Sequence, residues 1–159
     1  MINHRAWLLG MQLEHTKLCS PKRCERLRMA GVLTAGDLAI ADPIDLSVKM
    51  GLPIKASNTL KRYRRAIRLA TEVAGMMPRD ALLLTGIHRT SVRAIALDSP
   101  QAILRDLERY ALSSRGRRLL GNRRLPSLRR IKAWVTVCQE LAEAKQDESP
   151  NLVATPKAA

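Results

Sequence analysis

Apolar side chains recur along this chain with the period of an α-helix. The clearest stretch covers residues 57–74, where apolar residues fall every three or four positions and basic residues take the opposite face. The alternation of apolar and polar residues that is typical of strands does not occur, so the pattern predicts an all-α fold. The apolar face comprises Leu60, Tyr63, Ile67, Ala70 and Ala74, and the basic face comprises Lys61, Arg64, Arg65 and Arg68.

Capping residues predict where the first helices begin and end. Ser20 before Pro21 predicts a helix start, because Ser is a good N-cap and Pro is tolerated at the first helical position. Gly31 supplies the stop of that helix. Thr34 followed by Asp37 predicts a second helix that begins with a capping box.

Two further helices complete this segment. The pair Asp42–Pro43 ends the second helix and starts a short one that runs through Met50. A longer helix follows, capped by Ser57 or Asn58 and ending at Gly75.

The two ends of the chain differ in apolar content. Residues 2–14 are predicted to form a helix that docks Trp7, Leu8 and Met11 onto the first of two related units, residues 17–75. Residues 146–159 contain little to bury and are predicted to be a disordered tail.

One block of sequence occurs twice. Residues 20–46 resemble residues 77–104, in which two prolines recur at the same spacing. Gly31 and Gly86 both end an apolar helix, but they align only with a two-residue gap. The matching prolines are Pro21 with Pro78 and Pro43 with Pro100, each pair 57 residues apart.

A second block repeats in the same order. Starting from Leu60 and Leu128, fifteen residues pair without a gap at a separation of 68. We therefore predict an N-terminal helix over residues 1–16 and two related units over residues 17–75 and 76–145, the second with a basic loop insertion.

The order of motifs in residues 21–53 resembles a helix-hairpin-helix unit. It has Pro-Lys-Arg at a helix start, Ala-Gly at the helix end, and Thr-x-x-Asp-Leu beyond. The same run more distantly resembles the C-terminal domain of the RNA polymerase alpha subunit. With its duplication, the chain resembles an uncharacterised family of tandem helix-hairpin-helix-like domains, a domain of unknown function. This resemblance covers residues 17–144 and implies two such units in one compact helical domain.

The resemblance also implies where phosphate would bind. In helix-hairpin-helix proteins, backbone N–H groups of a Gly-hydrophobic-Gly hairpin and of the following helix bind a DNA phosphate. The corresponding hairpins here are residues 18–20 (Leu-Cys-Ser) and 75–77 (Gly-Met-Met), so the first lacks both glycines and the second keeps one. Lys22, Arg23 and Arg79 remain at the helix starts.

Charge strengthens the expectation of a polyanionic partner. The 159 residues include 28 Lys and Arg against 14 Asp and Glu, a formal net charge of +14. Aromatic residues make up only 3%, which disfavours the base-stacking surfaces of proteins that bind RNA or single strands.

Half of the basic residues lie in two segments without acids. Residues 55–70 hold six and residues 115–132 hold eight, whereas charge that serves only solubility is usually mixed in sign. The second segment is predicted to be a Gly-containing loop as far as Arg124 and a helix from Arg129. The predicted nucleic-acid-binding residues are Lys22, Arg23, Lys61, Arg62, Arg64, Arg65, Arg68, Arg79, Arg117, Arg118, Arg123, Arg124, Arg129, Arg130 and Lys132.

Catalytic, metal and membrane functions find little support in the sequence. His15, Cys19 and Cys24 can be drawn as three ligands, but a zinc site needs a fourth. No nucleophile-base constellation, phosphate-binding Gly-rich loop or apolar run of about 18 residues occurs. An odd number of cysteines without a secretion signal predicts free thiols and a cytoplasmic location.

The sequence thus predicts a non-enzymatic protein without cofactors that binds nucleic acid. Duplex DNA is preferred to RNA, and contacts to backbone phosphates would give affinity with little sequence specificity. The alternative is a helical scaffold that binds an acidic protein through the same basic faces, which would suit the missing hairpin glycines.

Overall fold

Eleven helices make up the part of the chain that the structure, a computed structural model, describes, which is residues 3–148. Within these residues the one β-type pairing is an isolated antiparallel bridge between Gln12 and Thr34. The predicted all-α fold is therefore confirmed. The helices are α1 His4–Leu9, α2 Leu13–Thr16, α3 Pro21–Met29, α4 Ala35–Ile40, α5 Pro43–Lys49, α6 Ala56–Glu72, α7 Pro78–Gly86, α8 Val92–Ala96, α9 Pro100–Leu112, α10 Ser114–Leu120 and α11 Leu128–Asp147.

Helices α3, α4 and α5 begin at the predicted capping residues. The Ser20 hydroxyl accepts the N–H of Arg23 at 3.3 Å. Thr34 and Asp37 form the predicted capping box, and the Asp42 carboxylate accepts two N–H groups at 2.8 and 3.1 Å. These side chains satisfy N–H groups that have no partner within the helix, so the three predictions are confirmed.

The start of α6 differs from the prediction, which had placed its cap at Ser57 or Asn58. The helix begins at Ala56, and Ser57 is buried within its first turn. The Ala56 and Ser57 N–H groups donate to the carbonyls of Pro53 and Ile54 at 2.9 and 3.0 Å. A backbone turn therefore takes the place of the expected side-chain cap, and that prediction was wrong.

The end of α6 also differs from the simple helical pattern. The helix stops at Glu72, and the extended Val73 is fully buried. Ala74, which the pattern placed on the apolar face, is exposed. The left-handed Gly75, at a φ of 83°, then redirects the chain toward α7.

The N-terminal segment forms two short helices instead of the predicted single one. The chain bends at Gly10, and the segment after it is held by hydrogen bonds from Leu13 N–H to Leu33 and from Ala35 N–H to Met11 at 3.2 and 2.9 Å. Leu8 is fully buried, as predicted. Helix α1 packs against α4 and α6, but Trp7 is 48% exposed and contributes less to this docking than predicted.

The helix order of the first unit recurs in the second, where α10 is an additional helix before the long α11. In the first, α4 and α5 pack against α6, and in the second, α8 and α9 pack against α11. Helices α3 and α7 have nine residues each and begin at Pro21 and Pro78. Helix α6 also packs against α7, and the buried side chains of both units form one continuous core. The two units therefore share a single compact helical domain.

The ends of α3 and α7 show that this repeat has no gap. The Val32 N–H donates to Leu27 at 2.9 Å, and the Arg89 N–H donates to Leu84 at the same distance. Both pairs are 57 residues apart, and so are the left-handed residues between them, Gly31 with a φ of 91° and His88 with a φ of 64°. The two-residue gap predicted from the glycines was thus wrong.

Gly86 has a different role from the one predicted. It is the last residue of α7, and a Cβ at this position would lie 2.5 Å from the Tyr110 ring. The glycine therefore lets α9 pack closely against α7, and it does not reverse the chain.

The predicted basic loop before α11 is mostly helical. Residues 114–120 form α10, capped by the Ser113 hydroxyl, which accepts the Gly116 N–H at 3.1 Å. Gly116 is buried, and a Cβ there would overlap the carbonyl of Tyr110. It therefore serves close packing of α10 on α9, and only residues 121–127 connect α10 to α11.

Helix α11 extends beyond the boundary predicted for the tail. It includes Gln146 and Asp147, and the remaining tail residues 149–159 lie outside the described residues. Across residues 3–148, no helix combines the length and apolarity needed to cross a membrane.

Candidate nucleic-acid interface

The five basic residues of α6 do not all point to solvent. Lys61, Arg65 and Arg68 are exposed, whereas Arg62 and Arg64 are half-buried. The Arg64 Nε donates to the backbone carbonyl of Ala39 at 2.9 Å, which ties α6 to the end of α4. Arg64 thus stabilises the first unit, and the exposed three remain available for a ligand.

At the start of α3, basic residues surround the hydroxyl of a buried tyrosine. The Arg23 Nη1 donates to the Tyr63 hydroxyl at 2.9 Å. Burial raises the pKa of Tyr63, while Arg23 and Arg62 act in the opposite direction. The structure thus brings Arg23 and Arg62 together. Lys22, which precedes Arg23 in the sequence, is exposed.

At the start of α7, the corresponding position is acidic. Asp80 is only 7% exposed, and its carboxylate accepts the Met77 N–H at 3.1 Å and the Arg130 Nη2 at 2.7 Å. The Arg130 guanidinium also lies 5.2 Å from the ring centroid of Trp134, within the range of a cation–π contact. These contacts fix Arg130 of α11 beside the first turn of α7.

Arg79 at the same helix start is partly buried, and part of its guanidinium group lacks a hydrogen-bond acceptor. Its Nε and Nη2 atoms are inaccessible to solvent and have no hydrogen-bond partner among residues 3–148. Burial is the main cause that lowers the pKa of Arg79, and the nearby Arg123 and Arg130 lower it further, whereas Asp80 raises it. A buried guanidinium without an acceptor is costly, and so is the proximity of like charges. We call Arg79, Arg123 and Arg130 the α7 arginine cluster.

The remaining predicted residues are exposed on α10, α11 and the segment between them. They do not contact Arg79 through any hydrogen bond or ion pair found within residues 3–148. Helix α10 fixes its arginines on a scaffold, contrary to the flexible loop predicted for them. These residues are Arg117, Arg118, Arg124, Arg129 and Lys132.

A groove away from the α7 arginine cluster gathers a different basic set. Arg65 and Arg68 of α6 line it together with Arg93 of α8 and the acidic Glu72, and its volume is about 340 Å³. Arg93 was not among the predicted residues, because it lies outside the acid-free segments. Its only signal was its position near the start of a short helix.

The hairpins implied by the family resemblance offer few free N–H groups. The Met77 N–H is occupied by Asp80, and the Arg23 N–H by Ser20. The Leu18 N–H donates to the Thr16 hydroxyl at 3.4 Å and the Met76 N–H donates to the Val73 carbonyl at 3.1 Å, so N–H groups of both hairpins are engaged. Any anion at these helix starts would therefore contact arginine and lysine side chains more than backbone.

The described residues do not form a metal-ligand group. Among residues 3–148, no three His, Cys, Asp or Glu side chains are placed to hold one ion. Cys19 and Cys24 lie close together, but His15 does not complete a site with them.

The fold and this surface define a small, strongly basic, all-α domain in which one helix order occurs twice. Residues 17–141 match the model of the family described as Domain of unknown function (DUF4332), and the chain belongs to that family. No curated protein and no solved structure matches the chain.

Proposed function

We propose that this protein is a non-enzymatic nucleic-acid-binding protein that holds duplex DNA through its backbone phosphates. The observation that carries the proposal is the α7 arginine cluster, where Arg79 has two buried guanidinium nitrogens without an acceptor among residues 3–148. A phosphate bound by the exposed Arg123 and Arg130 would offset the repulsion among the three like charges and lower the electrostatic cost of burying Arg79.

The arrangement of the first unit supports the same conclusion. There, Arg23 and Arg62 lie at the start of α3, as Arg79 and Arg130 lie at the start of α7. Arg62 and Arg130 occupy equivalent positions of the repeat, 68 residues apart. Two basic helix starts on one rigid core suit a ligand with regularly spaced negative charges, such as a nucleic-acid backbone.

Binding should depend strongly on salt. If about six phosphates are contacted, the logarithm of affinity for a labelled duplex falls with the logarithm of salt concentration at a slope near −5. Fluorescence anisotropy at several salt concentrations measures this slope. An absence of binding at low salt would overturn the proposal, and tighter binding to an RNA duplex or a single strand would correct the preference for DNA.

The α7 arginine cluster can be tested with matched single substitutions. We expect Arg79→Gln and Arg123→Gln each to weaken duplex binding about three- to tenfold at low salt and to make the salt slope shallower by about one. Arg105→Gln on α9 removes the same charge from an exposed residue outside the predicted surface and should change affinity less than twofold. Equal losses in all three variants would show that only net charge matters.

Arg64 and Arg130 are poor sites for such tests, although both belong to the predicted set. Each makes a structural contact, to the Ala39 carbonyl or to Asp80. Their replacement would weaken the fold as well as any ligand contact. Lys61, Arg65 and Arg129 are exposed and are better suited to charge reversal.

A further inference from the structure

Two cysteine thiols meet where the chain enters α3. The Sγ atoms of Cys19 and Cys24 lie 3.0 Å apart, a separation at which either thiol can donate a hydrogen bond to the other. Cys19 precedes the N-cap Ser20, and Cys24 is the fourth residue of the helix. These are the two positions of a hydrophobic staple, in which apolar side chains pack across a helix start.

The second unit shows this staple in its ordinary form. Met76 and Ala81 occupy the corresponding positions, each 57 residues further along, and both are fully buried. A methionine and an alanine provide the same packing without any reactive group. Packing alone therefore does not require two thiols at the first site.

We propose that Cys19 and Cys24 form a redox-modification site that closes to a disulfide when the protein meets hydrogen peroxide. The Cys19 sulfur, as a thiolate, attacks one peroxide oxygen, the O–O bond breaks, and Cys19 becomes a sulfenic acid as hydroxide leaves and is protonated to water. The Cys24 thiolate then attacks the Cys19 sulfur, an S–S bond forms, the S–O bond breaks, and a second water is released. The two thiols lose two electrons and two protons, and the peroxide is reduced.

Accessibility decides the order of these steps. Cys19 is half-buried and can be reached by a small peroxide, whereas Cys24 is only 4% exposed. Bond formation brings the two sulfurs closer by about 1 Å, because a disulfide is about 2.05 Å long. The remaining thiol, Cys138, is fully buried in α11, and neither other cysteine lies within hydrogen-bonding distance of it.

The environment of Cys19 sets the rate of this chemistry. Burial, followed by the hydrogen bond and charge interaction with Cys24, raises the pKa of Cys19 to about 12, although Arg23 opposes the shift. Few Cys19 thiols are therefore ionised at neutral pH, so oxidation should be slow at pH 7 and faster at pH 9.

Intact-mass measurement of the full chain after treatment with hydrogen peroxide tests the proposal. We expect a loss of two hydrogen atoms per chain, with peptide mapping that joins Cys19 to Cys24, and reversal by dithiothreitol. The oxidised protein should melt about 5 °C higher than the reduced protein, because the disulfide restricts the unfolded chain. Neither readout involves nucleic acid, so the result stands apart from that of the proposed function.

Three variants provide controls. Cys19→Ser, at the half-buried position, should abolish both the mass loss and the melting shift, whereas Cys138→Ala should retain both. Cys24→Ala creates a staple like that of the second unit and should leave Cys19 as a single oxidisable thiol. Peroxide-treated wild-type protein that keeps all three free thiols, that gains oxygen at Cys19 without an internal crosslink, or that dimerises through Cys19 would overturn the proposal.

Discussion

The two units of this domain share a helix order but differ at the start of their first helix. In the first unit, position 23 is an arginine that donates to the Tyr63 hydroxyl, and in the second, the equivalent position 80 is an aspartate that accepts from Arg130. Both contacts join the first helix of the unit to its long helix. The equivalent positions thus keep the place of a polar contact while its chemistry changes.

A second difference lies just beyond these helices. Val32, which follows the left-handed residue of the first unit, is buried among apolar side chains. Its counterpart Arg89 forms ion pairs with Asp98 and Asp106, each at 2.6 Å. The second unit therefore replaces apolar packing by a charge network. This comparison shows that backbone geometry and core positions are the common features of the repeat, whereas charged side chains are specific to each unit.

The largest expected effect comes from the shared core positions. Leu27 and Leu84 are equivalent and almost fully buried, and the carbonyl of each accepts the N–H that closes its helix. We expect Leu27→Ala and Leu84→Ala each to lower the free energy of unfolding by about 3 kcal/mol, because each leaves a cavity in one continuous core. Urea denaturation of both variants measures this. A cost below about 1 kcal/mol in only one of them would contradict the equivalence of the units.

The helix-start contacts should differ in strength. We expect Asp80→Ala to lower the free energy of unfolding by about 2 kcal/mol, because it removes the capping contact to Met77 and the ion pair with the partly exposed Arg130. Arg23→Ala should cost about 1 kcal/mol, because only the hydrogen bond to the Tyr63 hydroxyl is lost. Chemical denaturation of the two variants and of wild type measures both losses in the free energy of unfolding. Equal costs would mean that the change of chemistry between the units has no effect on stability.

Much of the fold could be predicted because its signals are local. The caps at Ser20, Thr34 and Asp42 depend on one or two side chains and the next turn of backbone, and all three are present. The start of α6 could not be predicted in this way, because a backbone turn begins it before Ser57. Helix α10 was missed because glycine usually indicates a loop, whereas Gly116 is required here by contact with the Tyr110 backbone.

Most residues of the candidate site could be predicted, but not which of them lie close together. Charge patterns identified Arg123 and Arg130, and the family resemblance identified Arg79. Arg79 lies far from the other two in sequence, and the fold brings the three together where Arg130 of α11 pairs with Asp80 of α7. The same patterns could not separate structural arginines from exposed ones, because Arg64 reaches the Ala39 carbonyl through a tertiary contact. Arg93 had no charged neighbours in sequence, and only the fold places it beside Arg65.

The smallest expected effect concerns the left-handed residues at position 31 and its counterpart 88, where the sequence alignment was misled by Gly86. Gly31→Ala should cost about 1 kcal/mol, because nothing lies within 4 Å of an added Cβ and only backbone strain remains. His88→Gly should instead stabilise the protein by about 0.5 kcal/mol, since relief of strain outweighs the added flexibility of the unfolded chain. Urea midpoints of the two variants and of wild type measure these opposite shifts. A loss of stability in His88→Gly as large as that in Gly31→Ala would mean that the histidine side chain itself supports the turn. The two helix ends would then be equivalent only in their backbone hydrogen bonds.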